Sequence, residues 1–271
     1  MPRPLMLLGT MSGVGKSTVA AGLCRCFSDA GYRTAPFKAL NLASTAARLQ
    51  DGSLIGSGQA VQAAAARTTA DARMNPLLIL YGGGRSRRLL RGRERDEGWA
   101  CDLRAEAAAA FRELSGEYEQ MILEGSGSCC ELNLLDGDVA NGWMAETADA
   151  AALLIADVER GGVFAQVCGT LSLLPEDTRR RVGGVIVNRF RGDPAEFEDG
   201  ARLLEERAGV PMVGILPWRA PELPEEDGAD ACNFDAGTLS SPAMQVRYDA
   251  LAGWLRRNLD MTRIRRMAKV E

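Results

Sequence analysis

The sequence predicts an α/β protein with a mainly parallel sheet flanked by helices. Three observations carry this. Apolar segments of strand length alternate with helix-length segments along most of the chain. The first apolar segment runs into a glycine-rich turn that opens a helix. The chain's 271 residues are 46% hydrophobic and 25% charged, enough to bury a sizeable core under a soluble surface.

Taken in order, Pro4 to Gly9 (PLMLLG) reads as the first strand, and Lys16 to Ala30 as a helix closed by Gly31. Arg33 to Lys38 reads as a second strand, weakened by Pro36. An alanine-rich helix follows from about Gln59 to Thr69, and a stronger one from Asp102 to Tyr118. Gln120 to Glu124 (QMILE), Ala151 to Ala156 (AALLIA), Val182 to Asn188 (VGGVIVN) and Pro211 to Leu216 (PMVGIL) read as further strands. Helical stretches at 162–173 and 195–208 separate the last three. Arg85 to Arg95 carries six arginines after three glycines and reads as an exposed loop or hairpin. Arg219 to Pro242 is rich in Pro, Gly, Asp and Glu and reads as a linker. Beyond it, Met244, Tyr248, Leu251 and Leu255 have helical spacing, and Arg256 to Lys269 is basic, as a helix C-terminus favours. The expected organisation is one domain over 1–218, a linker over 219–242, and a C-terminal helix over 243–271 packing on the same domain.

Residue counts exclude several function classes. The chain has no histidine, which removes Ser-His-Asp and Cys-His hydrolases, His-ligated zinc and any imidazole base. Seven scattered cysteines, with Cys24 and Cys26 two apart on a helix, do not form a disulfide framework. No apolar run approaches the ~18–20 residues that span a bilayer, and the N-terminal apolar run offers no cleavage site. The expectation is a cytoplasmic protein with no membrane association. The net charge of −4 argues against nucleic acid as a partner. Only Lys16, Lys38 and Lys269 are lysines among 32 basic residues. A compact ammonium kept in an arginine-rich chain marks places where a guanidinium fork would not serve, although codon bias explains the scarcity itself.

The sharpest motif is Gly9-Thr-Met-Ser-Gly-Val-Gly-Lys16-Ser17-Thr18, between the first strand and the first helix. A glycine loop there turns backbone N–H groups toward phosphate oxygens, helped by the helix N-terminus. Lys16 would reach the β- and γ-phosphates, and Ser17 would ligate Mg²⁺. This places the chain in the P-loop NTPase fold, with ATP and Mg²⁺ as expected cofactors. One detail departs from the standard loop: five residues, not four, separate Gly9 from Gly15.

The longer loop resembles that of dethiobiotin-synthetase-like ATPases. Further segments follow in order: Phe37-Lys38 with Asn41, Met74-Asn75-Pro76, Glu124-Gly-Ser-Gly-Ser128, Glu131-Leu-Asn133, Asp138, Asn141, Ala156 to Ala165, Val187 to Asp193 and Gly214-Ile-Leu-Pro217. Together they resemble the ATP-dependent domain of the cobyric acid synthase family over about residues 5 to 218. Tyr248 to Asp260 (YDALAGWLRRNLD) is similar to that family's extreme C-terminus. The glutaminase domain expected between them is replaced by the 24 residues of 219–242.

The resemblance implies phosphate contacts from Gly13, Val14, Gly15, Lys16, Ser17 and Thr18, and base contacts from Asn188 and Pro217. It implies Mg²⁺ held by Ser17 and Glu124, and catalysis by Lys16, Lys38, Glu124 and Asp157. Substrate contacts fall to Asn41, Gln59, Arg160 and Gly161. Plainer roles compete with these. Glu124 is equally placed to cap the turn after a strand, and Lys38 to be a solvated lysine. Asn188 is a common turn residue, and Asp157 a common helix N-cap. Cys129-Cys130, beside the Glu124 loop, reads as a pair of small buried hydrophobes before a redox or soft-metal pair.

Departures fall on the substrate side. Where the family has Asp-Gly-Gly-Glu-Ile-Gly-Arg-Ala-Gln, this chain has Asp51-Gly-Ser-Leu54-Ile-Gly-Ser57-Gly-Gln59. After Met74-Asn75-Pro76, the family's Lys-Pro-Ser-Ser-Asp becomes Leu80-Tyr81-Gly82-Gly83-Gly84 and then the arginine cluster. The resemblance implies an amide-forming ligase that activates a carboxylate of a corrinoid or tetrapyrrole-like polycarboxylate as an acyl phosphate for attack by ammonia. The arginine cluster suits such a substrate, and is also what a solvated loop looks like. With no histidine to serve a glutaminase, nitrogen is expected from free ammonia or a separate glutaminase subunit. The fold family is often dimeric, so a homodimer is expected. Two other classes fit the same loop: a switch ATPase related to partition and septum-site ATPases, and a dethiobiotin-synthetase-like carboxylase.

Overall fold

The computed structural model describes residues 2–82, 84–95, 99, 101–220, 222–224 and 234–270. In chain order, β1 (Leu5–Gly9) leads through the glycine loop into α1 (Lys16–Asp29). Then come β2 (Thr34–Phe37), β3 (Leu40–Ala43), β4 (Ala46–Arg48), β5 (Leu54–Gly56) and α2 (Ser57–Ala65). β6 (Leu77–Gly82), β7 (Arg85–Leu90), β8 (Arg93–Glu94), α3 (Leu103–Glu117) and β9 (Gln120–Glu124) follow. After α4 (Gly142–Thr147), β10 (Ala151–Asp157), α5 (Val163–Leu173) and α6 (Glu176–Arg181) come β11 (Val182–Phe190), α7 (Glu198–Ala208) and β12 (Met212–Pro217). β13 (Phe234–Asp235), α8 (Pro242–Asn258) and α9 (Met261–Met267) close the chain. These elements fall into two compact units.

The first unit comprises Met1–Lys16, Gly125–Ala220 and Gly253–Glu271. Its frame is a parallel sheet in the order β12-β11-β10-β1. β1 and β10 are buried at every position, which is why they read as unbroken apolar runs rather than alternating ones. The register sets Asp157 opposite Asn188, so two polar strand ends emerge side by side at the carboxyl edge. Open parallel sheets collect ligands at that edge. α5 lies on β10, α7 on β12 and α6 on β11. The short helices α4, α6 and α9 lie outside the expected set, because six or seven residues are too few to show a helical period. The expected helix at 195–208 is α7 preceded by a 3₁₀ turn at Pro194–Phe197, which Asp193 caps through the Ala195 N–H.

The second unit comprises Ser17–Glu124 and Pro221–Ala252. β2 and β9 pair in parallel, Thr34 with Gln120 through Phe37 with Leu123. Pro36 is accommodated because β2 is a terminal strand and its missing N–H breaks no inner ladder. A four-stranded sheet, β3-β6-β7-β8, and a small one, β13-β4-β5, take in residues the sequence left unassigned together with the arginine segment and Phe234–Asp235, which were read as part of a linker. Their strands are two to six residues long, below the length at which alternation is legible. Of the two readings of the arginine segment, the hairpin holds: β7 pairs antiparallel with β6 and with β8. The alanine-rich helix begins two residues earlier than expected, at Ser57, and ends at Ala65. α3 starts where expected, because Asp102 accepts from the N–H groups of Arg104 and Ala105.

Arg25 holds α8 in this unit. Its side chain is 2% exposed, and it donates to Asp249 Oδ1 at 2.8 and 2.6 Å, Gln245 Oε1 at 2.7 Å and Ala65 O at 3.4 Å. A guanidinium this deep is stable only with its donors met. Among the described residues Cys24, Cys26, Cys101, Cys129, Cys130 and Cys168 form no disulfide; Cys232 lies outside them. Among the same residues no helix is long and apolar enough to cross a membrane.

Candidate functional site

The glycine loop belongs to the first unit through Lys16. Gly13 and Gly15 take φ +72° and +96°, conformations that favour glycine and that a phosphate-wrapping loop requires. Val14 between them is fully buried and anchors the loop to the core. A Cβ on Gly15 would run into the Asn188 amide. Asn188 in turn donates Nδ2–H to Val14 O at 2.8 Å and accepts from the Arg189 N–H at 2.9 Å. Its structural work is therefore to brace the loop, and a base would meet an amide already committed to backbone. Lys16, 6% exposed, folds its Nζ onto Gly127 O at 2.7 Å and Met11 O at 3.4 Å. Within the same unit, Ser128 and Cys129 close on this loop: Ser128 Oγ donates to Thr10 O, and the Cys129 N–H to Gly9 O.

Asp157 does not cap a helix. It ends β10, accepts from the Glu159 N–H at 2.7 Å and pairs with Arg189 Nη1 at 2.7 Å, while α5 begins at Val163 after Gly162. Arg189 holds φ +62°, a conformation costly for a side-chain-bearing residue. Arg160 and Gly161 are exposed, on a turn closed by the Gly161 N–H to Val158 O. Gln166, unnoticed in the sequence, ties this turn to the loop: it accepts from Thr10 Oγ1 and donates to Asp157 O and Gly161 O. Pro217 ends β12 opposite Phe190, followed by the Trp218 N–H bonded to Phe190 O. Cys129 is buried, which pushes its thiol up to about 12, so it behaves as a hydrophobe.

The second unit holds a tight polar cluster. Ser17 lies in the first turn of α1, with Thr18 exposed beside it. Glu124, 2% exposed at the end of β9, accepts from Ser17 Oγ at 2.7 Å and Lys38 Nζ at 3.0 Å on one oxygen. Its other oxygen accepts from Gln62 Nε2 at 2.6 Å. Lys38 is thus a buried ion-pair partner, not a solvated lysine. Glu124 is not a turn cap here, since its oxygens go to side chains. A hydroxyl and a carboxylate on one site are the oxygen donors a hard divalent cation takes, so the residues present fit Mg²⁺. The loop's left-handed glycines and its lysine likewise fit a nucleotide's phosphates.

A second set of amides adjoins Lys38. Asn75 donates to Lys38 O at 3.0 Å and Leu77 O at 3.1 Å, and accepts from the Gly56 N–H at 3.2 Å. Asn41 Nδ2 donates to Gln59 Oε1 at 3.0 Å. Gly56 is the space that permits this, since a Cβ there would stand 2.5 to 2.9 Å from the amide atoms of Asn41, Gln59 and Asn75. Gln59 and Gln62 are both fully buried, yet Gln59 Nε2 and Gln62 Oε1 find no hydrogen-bond partner. A donor and an acceptor left unmet at that depth are costly and point to a polar ligand. Gln62 was missed in the sequence, although its place one turn after Gln59 on an alanine-rich helix was a usable signal.

The family model CbiA, described as CobQ/CobB/MinD/ParA nucleotide binding domain, matches residues 5–228. The cobyric acid synthase of Chlorobium phaeobacteroides (strain BS1) is 46% identical over 224 residues, 80% of this chain and 45% of that protein. That of Klebsiella pneumoniae (strain 342) is 44% identical over 236 residues, 84% of this chain and 46% of that protein. The chain therefore spans about half the length of the curated relatives it matches. Among solved structures, the MinC:MinD cell division protein complex of Aquifex aeolicus is 16% identical, covers 94% of each chain and has a TM-score of 0.49, a likeness too loose to bear on function. By the match over residues 5–228, the chain belongs to the CbiA family, the CobQ/CobB/MinD/ParA nucleotide binding domain.

Proposed function

We infer that the chain is the ATP- and Mg²⁺-dependent part of an amide-forming ligase resembling cobyric acid synthase. It would activate a carboxylate of a corrinoid or tetrapyrrole-like polycarboxylate as an acyl phosphate for attack by ammonia. The observation that carries this reading is the buried Lys38–Glu124 pair, with Ser17 on the same oxygen. It sets a buried lysine among metal-type oxygen donors, as a reaction between two anions requires. The likeness to cobyric acid synthases over 224 residues supports it.

Bound MgATP supplies the phosphoryl group and the charge neutralisation of the metal. The chain's own residues do the rest by position. Lys16 would leave the Gly127 carbonyl to meet phosphate oxygens. Ser17 and Glu124 would hold the metal, and Lys38 would face the incoming carboxylate. Gln59 Nε2 supplies an unmet donor for a carboxylate oxygen, and Gln62 Oε1 an unmet acceptor for an N–H nucleophile. Asp157, paired with Arg189 beside Asn188, would orient the loop. With no histidine in this chain, ammonia would arrive free or from a separate glutaminase subunit.

The test is ADP release by the purified chain with MgATP. The reading expects turnover when a tetrapyrrole polycarboxylate and ammonium are both added, near silence without the acid, and no response to glutamine. Steady hydrolysis without any acid would replace it with a switch ATPase, and a bicarbonate requirement with a carboxylase.

A further inference from the structure

The side chains around Glu124 divide its two oxygens unequally. Ser17 Oγ at 2.7 Å and Lys38 Nζ at 3.0 Å share Oε1. Oε2 accepts from Gln62 Nε2 at 2.6 Å. The same Nε2 donates to Ser17 O at 3.4 Å, so one amide spans the two residues assigned above to the metal.

Chemistry fixes which way that amide faces. A carboxylate and a backbone carbonyl only accept, so the group turned toward both must be the NH₂. Gln62 Oε1 is then directed elsewhere, and it meets no hydrogen-bond partner although the residue is fully buried. An acceptor left unmet at that depth is costly, yet the side chain keeps its donor on Glu124. It has little room to swing aside. Every residue of α2 is buried, and the helix lies on β2, the strand that ends beside Lys38. Interiors packed this closely hold a side chain in one arrangement.

We propose that Gln62 is a positioning residue that sets the metal preference of the site: by occupying Glu124 Oε2 it leaves the carboxylate a single metal bond through Oε1, which suits Mg²⁺ and handicaps Ca²⁺. Mg²⁺ demands a near-ideal octahedron and takes one or two carboxylates, completing its shell with phosphate oxygens and water. Neighbouring oxygens of an octahedron with bonds of about 2.0–2.1 Å stand about 2.9 Å apart, close to the 2.7 Å between Ser17 Oγ and Glu124 Oε1. Ca²⁺ takes roughly six to eight oxygens and readily grips a carboxylate by both of them. A two-oxygen grip on Glu124 would strip Gln62 of its short bond in addition to the acceptor already unmet. Second-layer partners of this kind orient a ligand and tune the metal it accepts. The proposal rests on the reading that Ser17 and Glu124 hold the metal, and on nothing about the acid or the nitrogen source.

The experiment is calorimetry of the whole chain with the non-hydrolysable analogue adenylyl imidodiphosphate, in Mg²⁺, in Ca²⁺ and in metal-free buffer. Wild type should bind about tenfold more tightly with Mg²⁺ than with Ca²⁺. Gln62→Met keeps the length of the side chain and removes the amide. Its ratio should fall to about twofold or less through tighter binding with Ca²⁺, at unchanged metal-free affinity. Gln62→Asn, whose amide is one methylene shorter, should shift the ratio in the same direction and decides the matter where the Met variant does not fold. Gln120→Met removes another fully buried amide, at the opposite end of β9 from Glu124, and should keep the wild-type ratio. A wild-type ratio in folded Gln62→Met or Gln62→Asn overturns the proposal, as does a wild type with no preference between the two metals. An equal shift in Gln120→Met also overturns it, because general loosening would then be the cause. If neither metal changes the wild-type affinity, the metal reading falls and this proposal with it. If the ratio shifts as stated while ATP is hydrolysed without any acid, Gln62 keeps its role and the ligase reading falls.

Discussion

The glycine loop of the first unit and the Glu124 cluster of the second are both polar and adjoin in sequence at Lys16 and Ser17, yet they are made of different material. In the loop, the partners are mostly backbone: Lys16 rests on two carbonyls, Asn188 on Val14 O, and Ser128 on Thr10 O. In the cluster, side chain meets side chain, with Ser17, Lys38 and Gln62 all on Glu124. The difference teaches which kind of site a sequence can spell. A backbone site needs glycines at fixed spacing and leaves a contiguous signature. A side-chain site is assembled from separate elements, and its members are ordinary residues until the fold places them.

The largest expected effect lies in the loop. Lys16→Ala should lower ATP turnover by on the order of 10³-fold and weaken nucleotide binding, because the phosphates lose a point charge that no carbonyl replaces. Calorimetry with Mg²⁺ reads it, and equal ATP affinity in variant and wild type would break the loop half of the comparison. Glu124→Gln comes next, with a rate loss of about 10²-fold and a raised Mg²⁺ requirement at nearly unchanged ATP affinity. A Mg²⁺ titration that matches wild type would reduce the cluster to a structural knot.

Two glycines sharpen the contrast through stability. Gly56→Ala puts a methyl against three buried amides and should cost about 1–3 kcal/mol. Gly13→Ala meets nothing within 4 Å and should cost only the left-handed strain, about 1 kcal/mol. Urea unfolding measures both, and equal losses would contradict the view that the amides packed around Gly56, more than backbone conformation, set the cost there. Asn188→Ala should weaken ATP by about fivefold through a looser loop. If ATP-versus-GTP preference survives that change, base recognition moves to the 216–219 turn. The smallest effect is none at all: with its thiol pushed up to about 12, Cys129 should resist alkylation at pH 8 in the folded chain, as read by mass mapping.

Long buried strands, the loop between β1 and α1, and the helix closure at Gly31 were legible because each is a local fact of period, spacing or turn chemistry. The strands β3 to β8 were not, apart from the arginine hairpin, since segments of two to six residues show no period of their own. Lys38 and Glu124 were legible as strand ends, but not as an ion pair, and Gln62 was not legible as their partner. Asn188 was found at a strand end, but its hydrogen bond to Val14 O was not legible, because whether an amide meets a backbone carbonyl depends on how close the neighbouring loop comes. The sequence by itself determined the parallel α/β frame and the phosphate loop, since backbone conformation is dictated within a few residues. Only the tertiary structure decided which side chains share Glu124 and which amides close around Gly56, because those contacts join separate elements and exist only once they have packed.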